Sequence, residues 1–272
     1  MSYPYALGVI GAGHIAGVIV RRLIDGGYYE PSRIVASESR TLREHPLPVT
    51  IVEHNRDVAR QANMLLISVT PQQFKTAAAG IEAALTDDHL LVSVMAGVST
   101  DTVDAAFPRI AARVVRCMPN LPFGLGYGVT GVCRGRHATQ DDVEAVRHLF
   151  NAGGVTLEIK EQSLMDAVTA VAGSGPAYFY YFVEAMIEAG QAAGLTPADA
   201  QVLAAHACMG AGAMLLDKGA SPRELRLAVT SPGGTTEAAM NVLTSGHVTE
   251  LVTQAVSAAF RRGRELGRQV NA

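Results

Sequence analysis

The segment Ala6-Leu7-Gly8-Val9-Ile10-Gly11-Ala12-Gly13-His14-Ile15-Ala16-Gly17 constrains the fold more than any other part of this chain. Its apolar opening reads as a buried parallel strand, and a Gly-x-Gly-x-x-Ala turn follows directly. Ile15, Val18, Ile19, Arg22 and Leu23 then recur at helical spacing, and Gly26-Gly27 ends the helix. In such a strand–turn–helix unit Gly11 permits the tight turn and Gly13 lets a pyrophosphate sit against the backbone. Ala16 allows the helix to pack close on the strand. A dinucleotide-binding unit is therefore expected here, with His14 and Ile15 at the helix opening among its coenzyme-facing residues.

Further strands are predicted at Arg33–Ser37, 49–52, Met64–Val69, Leu90–Val94 and Arg113–Cys117, alternating with helices. Ser99 is placed to cap the helix that runs to Phe107. The alternation predicts an α/β fold with a doubly wound, mostly parallel sheet of the Rossmann type. Ligands of such sheets bind outside the carboxyl ends of the strands, so Gly11, Ser37, Thr70, Ala96 and Pro119 should line one crevice. Two prolines in 44–48 leave little room for a full helix there. After the second strand the chain reads Ser37-Glu38-Ser39-Arg40. Ser37 stands at the strand end among the coenzyme-binding candidates, and Ser39 and Arg40 suit a ribose 2′-phosphate, which favours NADPH; Glu38 would suit a bare ribose and keeps NADH possible.

From about residue 162 the pattern is helical only. Pro176–Gly194, Thr196–Lys218, Pro222–Val229 and the stretch from Thr235 onward are Ala-rich with helical spacing. Two domains are expected: a dinucleotide-binding domain over 1–161 and an all-α domain over 162–272. Ala204, Ala205, Gly210 and Gly212 suit tight helix–helix packing, and such a bundle is a natural dimer surface.

Within the helical part, Val229-Thr230-Ser231-Pro232-Gly233-Gly234-Thr235-Thr236-Glu237 opens a helix with hydroxyls and bare backbone. The N–H groups at a helix start are unpaired and lie at the positive end of its dipole, so they accept a carboxylate or phosphate. Gly233 and Gly234 allow close approach, and Ser231, Thr235 and Thr236 add neutral donors. An ordinary Ser/Thr cap on a structural helix is the other reading of the same residues.

Nearly half the chain is apolar (49%) and 17% is charged, a balance that excludes disorder. A net charge of −3 gives no reason to expect nucleic acid. Arg261, Arg262, Arg264 and Arg268 read as favourable charge near a helix C-terminus. The longest apolar stretches, such as Leu90–Val98, are too short to span a bilayer, and no leader is expected, so no membrane is predicted. The three cysteines, Cys117, Cys133 and Cys208, form no Cys-x-x-Cys pair and read as buried thiols in a reducing, cytoplasmic setting. The eight histidines have no metal spacing, so no metal is expected.

Several linked motifs together resemble the pyrroline-5-carboxylate reductase family over nearly the whole chain. They are Val9–Gly13, Val69-Thr70-Pro71-Gln72, Ala96-Gly97-Val98, Val115–Asn120, Asp166–Thr169, Gly173–Tyr178 and Thr230–Thr236. The resemblance implies reduction of Δ1-pyrroline-5-carboxylate to L-proline with hydride from NADPH or NADH, and dimers or larger homo-oligomers. It implies that Ser231 and the Gly233/Gly234 backbone hold the substrate carboxylate beside Thr235, and that Thr236 hydrogen-bonds the ring nitrogen. It places Asn55 at the adenosine end of the coenzyme, and Met118, Pro119, Asn120, Ala96 and Gly97 around the nicotinamide, with Val69, Thr70 and Pro71 completing the coenzyme set. Ser174, Gly175 and Pro176 are expected to pack closely near the pocket, a direct ligand contact being equally open.

Three departures stand out. The family usually has Lys-Pro at Thr70-Pro71, and Pro-Asn-Thr-Pro-Ala where this chain has Pro119-Asn120-Leu121-Pro122-Phe123. Tyr127 replaces a common Glu. Altered substrate choice, such as a six-membered cyclic imine, and simple repacking both account for them. A hydroxyacid dehydrogenase would need an acid–base group, often Lys. The lysines here are Lys75, Lys160 and Lys218, none of them in 173–194. A catalytically silent nucleotide-binding relative is a further alternative, disfavoured by the intact Ser231, Gly233, Gly234 and Thr236.

Overall fold

The computed structural model describes residues 3–37, 44, 46–217, 219 and 221–271. It divides into two compact units, Met1–Ser174 with Ala259–Ala272, and Gly175–Ala258. The boundary expected at 161/162 thus falls at 174/175, and the chain's last residues return to the first unit. Sequence periodicity marks where helices begin; it does not show which core the end of a helix joins.

The first unit is an eight-stranded sheet. In chain order the strands are β1 (Leu7–Ile10), β2 (Ile34–Ser37), β3 (Thr50–Val52), β4 (Met64–Ile67), β5 (Leu90–Ser93), β6 (Arg113–Met118), β7 (Gly128–Arg134) and β8 (Gly154–Glu158). Their spatial order is β3-β2-β1-β4-β5-β6-β7-β8. The first six are parallel, β7 is antiparallel to β6, and β8 is parallel to β7. The last two strands were not expected. Gly128, Gly131 and Gly154 dilute their apolar pattern, and β8 alternates between exposed and buried positions.

Helices α1 (His14–Asp25), α2 (Asn55–Gln61), α3 (Phe74–Ile81), α4 (Thr100–Ala105), α5 (Gln140–Asn151) and α6 (Met165–Val168) belong to this unit. Successive side chains of a strand point to opposite faces of the sheet. Leu7 and Val9 of β1 accordingly pack with Ala16, Ile19 and Leu23 of α1 and with Val143, Val146 and Phe150 of α5. Ile10 joins Val58 of α2, Phe74 and Ile81 of α3 and Val103 of α4. Both faces are covered, as a doubly wound sheet requires. Ser99 caps α4 as expected, its hydroxyl accepting from the Thr102 N–H at 3.0 Å.

The second unit holds α7 (Gly175–Ala192), α8 (Pro197–Leu216), α9 (Pro222–Ala228), α10 (Thr235–Ser245) and the start of α11 (Val248–Asn271). α7 and α8 pack on each other. Yet among the described residues of this unit only Gly175, Ala200 and Ala204 are buried. Phe179, Tyr181, Leu203, Val242 and Leu251 stand 58–72% exposed in the single chain. By length and composition α8 is apolar enough to cross a membrane. The expectation that no apolar stretch reaches that length therefore does not hold for 197–216.

Candidate functional site

The parallel strands β1 to β6 direct their carboxyl ends to one edge of the sheet. Along that edge, strand order places Asn55 (after β3), Ser37 (β2), Gly11 (β1), Thr70 (β4), Gly97 (β5) and Met118 (β6) in sequence. Five inter-strand steps of about 4.8 Å make this series roughly 24 Å long. The chain leaves β1 toward β2 on one side and crosses to β4 on the other, which creates the switch-point crevice of such sheets.

At the crevice's centre Gly11 has φ 78°, and a Cβ there would lie 2.7 Å from the Val69 amide nitrogen. Only glycine lets the β1 and β4 ends meet this closely. Gly13 is the N-cap of α1 and supplies no side-chain cap; the nearest atom to a Cβ on it, the Gly11 carbonyl oxygen, would be 3.9 Å away. Its face is thus an open cradle before the first-turn N–H groups of α1, unpaired among the described residues, which fits a dinucleotide pyrophosphate. His14 is exposed and Ile15 half-buried at that opening.

The other coenzyme candidates divide by burial. Asn55 is half-buried as the first residue of α2, and Thr70 is exposed, its hydroxyl donating to Gln73 Oε1 at 3.1 Å. Ser37 is buried at the end of β2. Ser39 and Arg40 lie outside the described residues. Pro71, Ala96 and Gly97 are half-buried, whereas Met118, Pro119 and Asn120 are buried. The Asn120 side chain is engaged within the protein. Its Nδ2 donates to the Ala172 carbonyl at 3.2 Å and its Oδ1 accepts from the Val129 N–H at 3.0 Å. It ties the β6 end to the π-helical turn Thr169–Gly173, where a Cβ on Gly173 would lie 3.7 Å from Met118 Sδ.

Behind these residues Arg116 is 2% exposed and donates to Asp166 Oδ1 at 3.1 Å. Burial lowers the Arg116 pKa and the Asp166 hydrogen bond opposes that shift. Its Nε has no partner among the described residues. Burial pushes the Cys117 thiol well up and raises Cys133 as well, so neither offers a thiolate at neutral pH. Cys208, expected to be buried, is half-exposed.

Ser231, Gly233, Gly234, Thr235 and Thr236 form a separate constellation in the second unit. Gly234 is the N-cap of α10, with Thr235 and Thr236 as its first two residues. A Cβ on Gly234 would lie 2.6 Å from Ser231 Oγ, so the missing side chain is what admits that hydroxyl. The two glycine N–H groups expected to face a carboxylate are already used. Gly233 donates to Glu237 Oε2 at 2.9 Å and Gly234 to the Ser231 carbonyl at 3.0 Å. Glu237, which is not among the expected site residues, reaches back one turn as an internal anion. The first intrahelical bond comes from the Ala238 N–H. The N–H groups of Thr235, Thr236 and Glu237, and the hydroxyls of Thr235 and Thr236, have no partner among the described residues, and they are the open donors here.

The family departures sort by position. Phe123 is fully buried and stacks edge-on with Phe150 at 5.8 Å between ring centroids. It is a core residue. Leu121 and Tyr127 are 46% and 82% exposed.

A switch-point crevice with an open glycine cradle, joined in one chain to an all-helical unit, defines a Rossmann-type nucleotide-binding protein of two units. Residues 162–266 match the family model described as pyrroline-5-carboxylate reductase dimerisation, and residues 6–97 match the one described as NADP oxidoreductase coenzyme F420-dependent. The chain is 36% identical to a pyrroline-5-carboxylate reductase of Synechocystis, covering 97% of this chain and 98% of that one. A solved pyrroline-5-carboxylate reductase from Coxiella burnetii is 33% identical with TM-score 0.86, over 97% of this chain and 98% of that one. The Plasmodium falciparum pyrroline carboxylate reductase, solved with NADP bound, shares the fold at TM-score 0.90 and 24% identity, covering 98% and 100% of the two chains. The chain belongs to the pyrroline-5-carboxylate reductase family.

Proposed function

We propose that this chain reduces 1-pyrroline-5-carboxylate to L-proline, the last step of proline biosynthesis, with NADPH as the preferred donor and NADH as a possible one. The observation that carries the reading is the set of open donors at the start of α10, in a chain whose other unit has the glycine cradle for a dinucleotide. When bound in that cradle, the coenzyme supplies the hydride. Gly11, Gly13 and the first turn of α1 hold its pyrophosphate, with Asn55 and Ser37 toward the adenosine end. Ala96, Gly97 and Met118–Asn120 wall the nicotinamide end.

In the helical unit, the first-turn N–H groups of α10 and the Ser231 and Thr235 hydroxyls take the substrate carboxylate. Thr236 hydrogen-bonds the ring nitrogen. A protonated cyclic imine is already electrophilic, so these residues act by orientation: carbon gains the hydride, nitrogen keeps its proton, and the C=N bond becomes CH–NH. Fully buried Phe123 does not line a substrate pocket, which removes one ground for expecting a six-membered substrate.

The enzyme acts as a homodimer or larger homo-oligomer. An 84-residue unit that buries three of its described residues has no adequate core within one chain, and a second copy supplies the missing apolar surface. Its free thiols suit the cytoplasm.

The test is initial-rate oxidation of NADPH and NADH with pyrroline-5-carboxylate and with its six-membered homologue. Fast turnover of the five-membered imine is expected. Turnover of the homologue alone would overturn the substrate, and tight nucleotide binding with neither imine reduced would indicate a silent relative. Arg40→Ala is expected to weaken NADPH far more than NADH; equal losses would remove Arg40 as the reader of the 2′-phosphate.

A further inference from the structure

After β5 the chain turns through Ala96-Gly97, where Gly97 has φ 76°. The end of α11, which belongs to the same compact unit, crosses this turn backbone to backbone. A Cβ on Gly97 would lie 2.6 Å from the Gly263 carbonyl oxygen and 2.7 Å from the Gly267 amide nitrogen. A Cβ on Gly267 would collide with the Gly97 carbonyl oxygen, and the Leu266 Cβ closes the contact from the side. Val270, one turn on, is 6% exposed and packs in the same cluster as Val98 and Phe74.

Glycine weakens a helix interior relative to alanine, so Gly267, still inside the last turns of a long helix, calls for a local cause. The approach to Gly97 supplies it. The same helix also lies against Asp166, whose Cβ would be 3.6 Å from a Cβ on Gly263. Asp166 in turn holds Arg116, two residues before Met118. One helix therefore braces two neighbouring strand ends of the crevice, those of β5 and β6.

We propose that Gly267 is a positioning residue for the coenzyme: its missing side chain lets the last helix set the Gly97 turn at the nicotinamide end of the crevice. This rests on the reading of that crevice as an NADPH site. The helical half of the chain thus contributes to coenzyme alignment through its final turns as well as to substrate binding.

The test uses the full chain and four proteins: the parent, Gly267→Ala, Val270→Ala and Glu265→Gly. For each, the NADPH Kd is measured by calorimetry without substrate, together with kcat, KM, Tm and the primary isotope effect with 4-deuterated NADPH. Gly267→Ala pushes the turn, so a Kd increase on the order of tenfold and a larger isotope effect on kcat are expected, as misaligned reactants slow the chemical step. Val270→Ala adds no clash; it thins the buried cluster with Val98 and Phe74 that seats the helix end and shifts both quantities the same way by less, which keeps the test open where Gly267→Ala does not fold. Glu265 is exposed on the same helix, so Glu265→Gly lowers Tm without moving the Kd or the isotope effect.

Parental Kd and isotope effect in both Gly267→Ala and Val270→Ala would overturn the proposal. So would a Glu265→Gly variant that reproduces the whole shift, since loss of helix stability alone would then explain it. A parent that binds NADPH without reducing pyrroline-5-carboxylate would refute the proposed reaction while leaving the Kd comparison intact.

Discussion

Thr236 and Phe123 show how position decides what a side chain does. Thr236 sits at the second residue of α10, its hydroxyl without a partner among the described residues, and the proposed function gives it the ring nitrogen. Removing one positioned donor typically costs 10²–10³ in turnover, so Thr236→Ala is expected to lower kcat about 10²-fold. NADPH affinity should stay at the parental value; unchanged kcat in steady-state assays would take Thr236 out of its role. Phe123 looked in sequence like a change near the substrate. In the structure it fills the core beneath Gly153 and against Phe150. Phe123→Ala should cost about 3–5 kcal/mol in denaturant unfolding, as large-to-small core changes do, without altering the preference for ring size. A changed ring-size preference in that variant would restore Phe123 to the pocket.

At the scale of elements, helix ends do most of the positioning. α5 begins with a reciprocal capping box: Thr139 Oγ1 accepts from the Asp142 N–H at 3.1 Å, and the Asp142 carboxylate accepts the Thr139 N–H at 2.8 Å. The same carboxylate pairs with Arg113 of β6 at 2.8 Å, so the cap also fastens the helix to the sheet. Thr139→Ala should lose about 1 kcal/mol of stability, the usual worth of such a cap. Asp142→Ala should lose more, because it leaves the largely buried Arg113 guanidinium without its ion pair. Equal losses in urea titrations would show that the Arg113 pair adds nothing. α10 behaves differently. Its N-cap is a glycine, and the first-turn donors left open by that choice are the ones proposed to take the substrate, while Glu237 occupies the neighbouring Gly233 N–H.

Not every element leaves a mark in residue order. β1 to β6 and their carboxyl-end loops could be located because each is a compact apolar run closed by Gly, Pro, Ser or Thr. β7 and β8 escaped because their glycines and exposed positions erase the pattern, and because β7 turns antiparallel. That reversal is a property of pairing with β6, carried by backbone hydrogen bonds that leave no mark on residue type.

For the whole molecule, the two units differ in what holds them together. The first has two continuous clusters covering both faces of its sheet. The second, as a single chain, leaves most of its large apolar side chains in water. Phe179, Tyr180, Tyr181 and Phe182 lie consecutively on α7, and an apolar groove of about 340 Å³ runs between α7 and α11, lined by Tyr178, Tyr181, Leu251 and Val252. Association of copies is the physical remedy, since exposed apolar area of this extent is stable only when covered. Sedimentation should show a dimer or larger species. Leu251→Glu should shift it toward monomer while NADPH binding, which depends on the first unit's own core, changes little. A monomeric parent would contradict the assignment of this surface.

Residue order along the chain was enough to determine the glycine cradle, the alternation that builds a parallel sheet, the helical second half and the hydroxyl-rich helix start. Each depends on neighbours within a few residues, where backbone geometry and hydrophobic period act directly. Only tertiary structure decided that Phe123 is core, that Asn120 spends its amide on Ala172 and Val129, and that Glu237 caps Gly233. It alone returned Gly267 to Gly97, 170 positions earlier in the chain. Such contacts join segments far apart in sequence, and steric fit and hydrogen-bond satisfaction between them are set by how the elements pack.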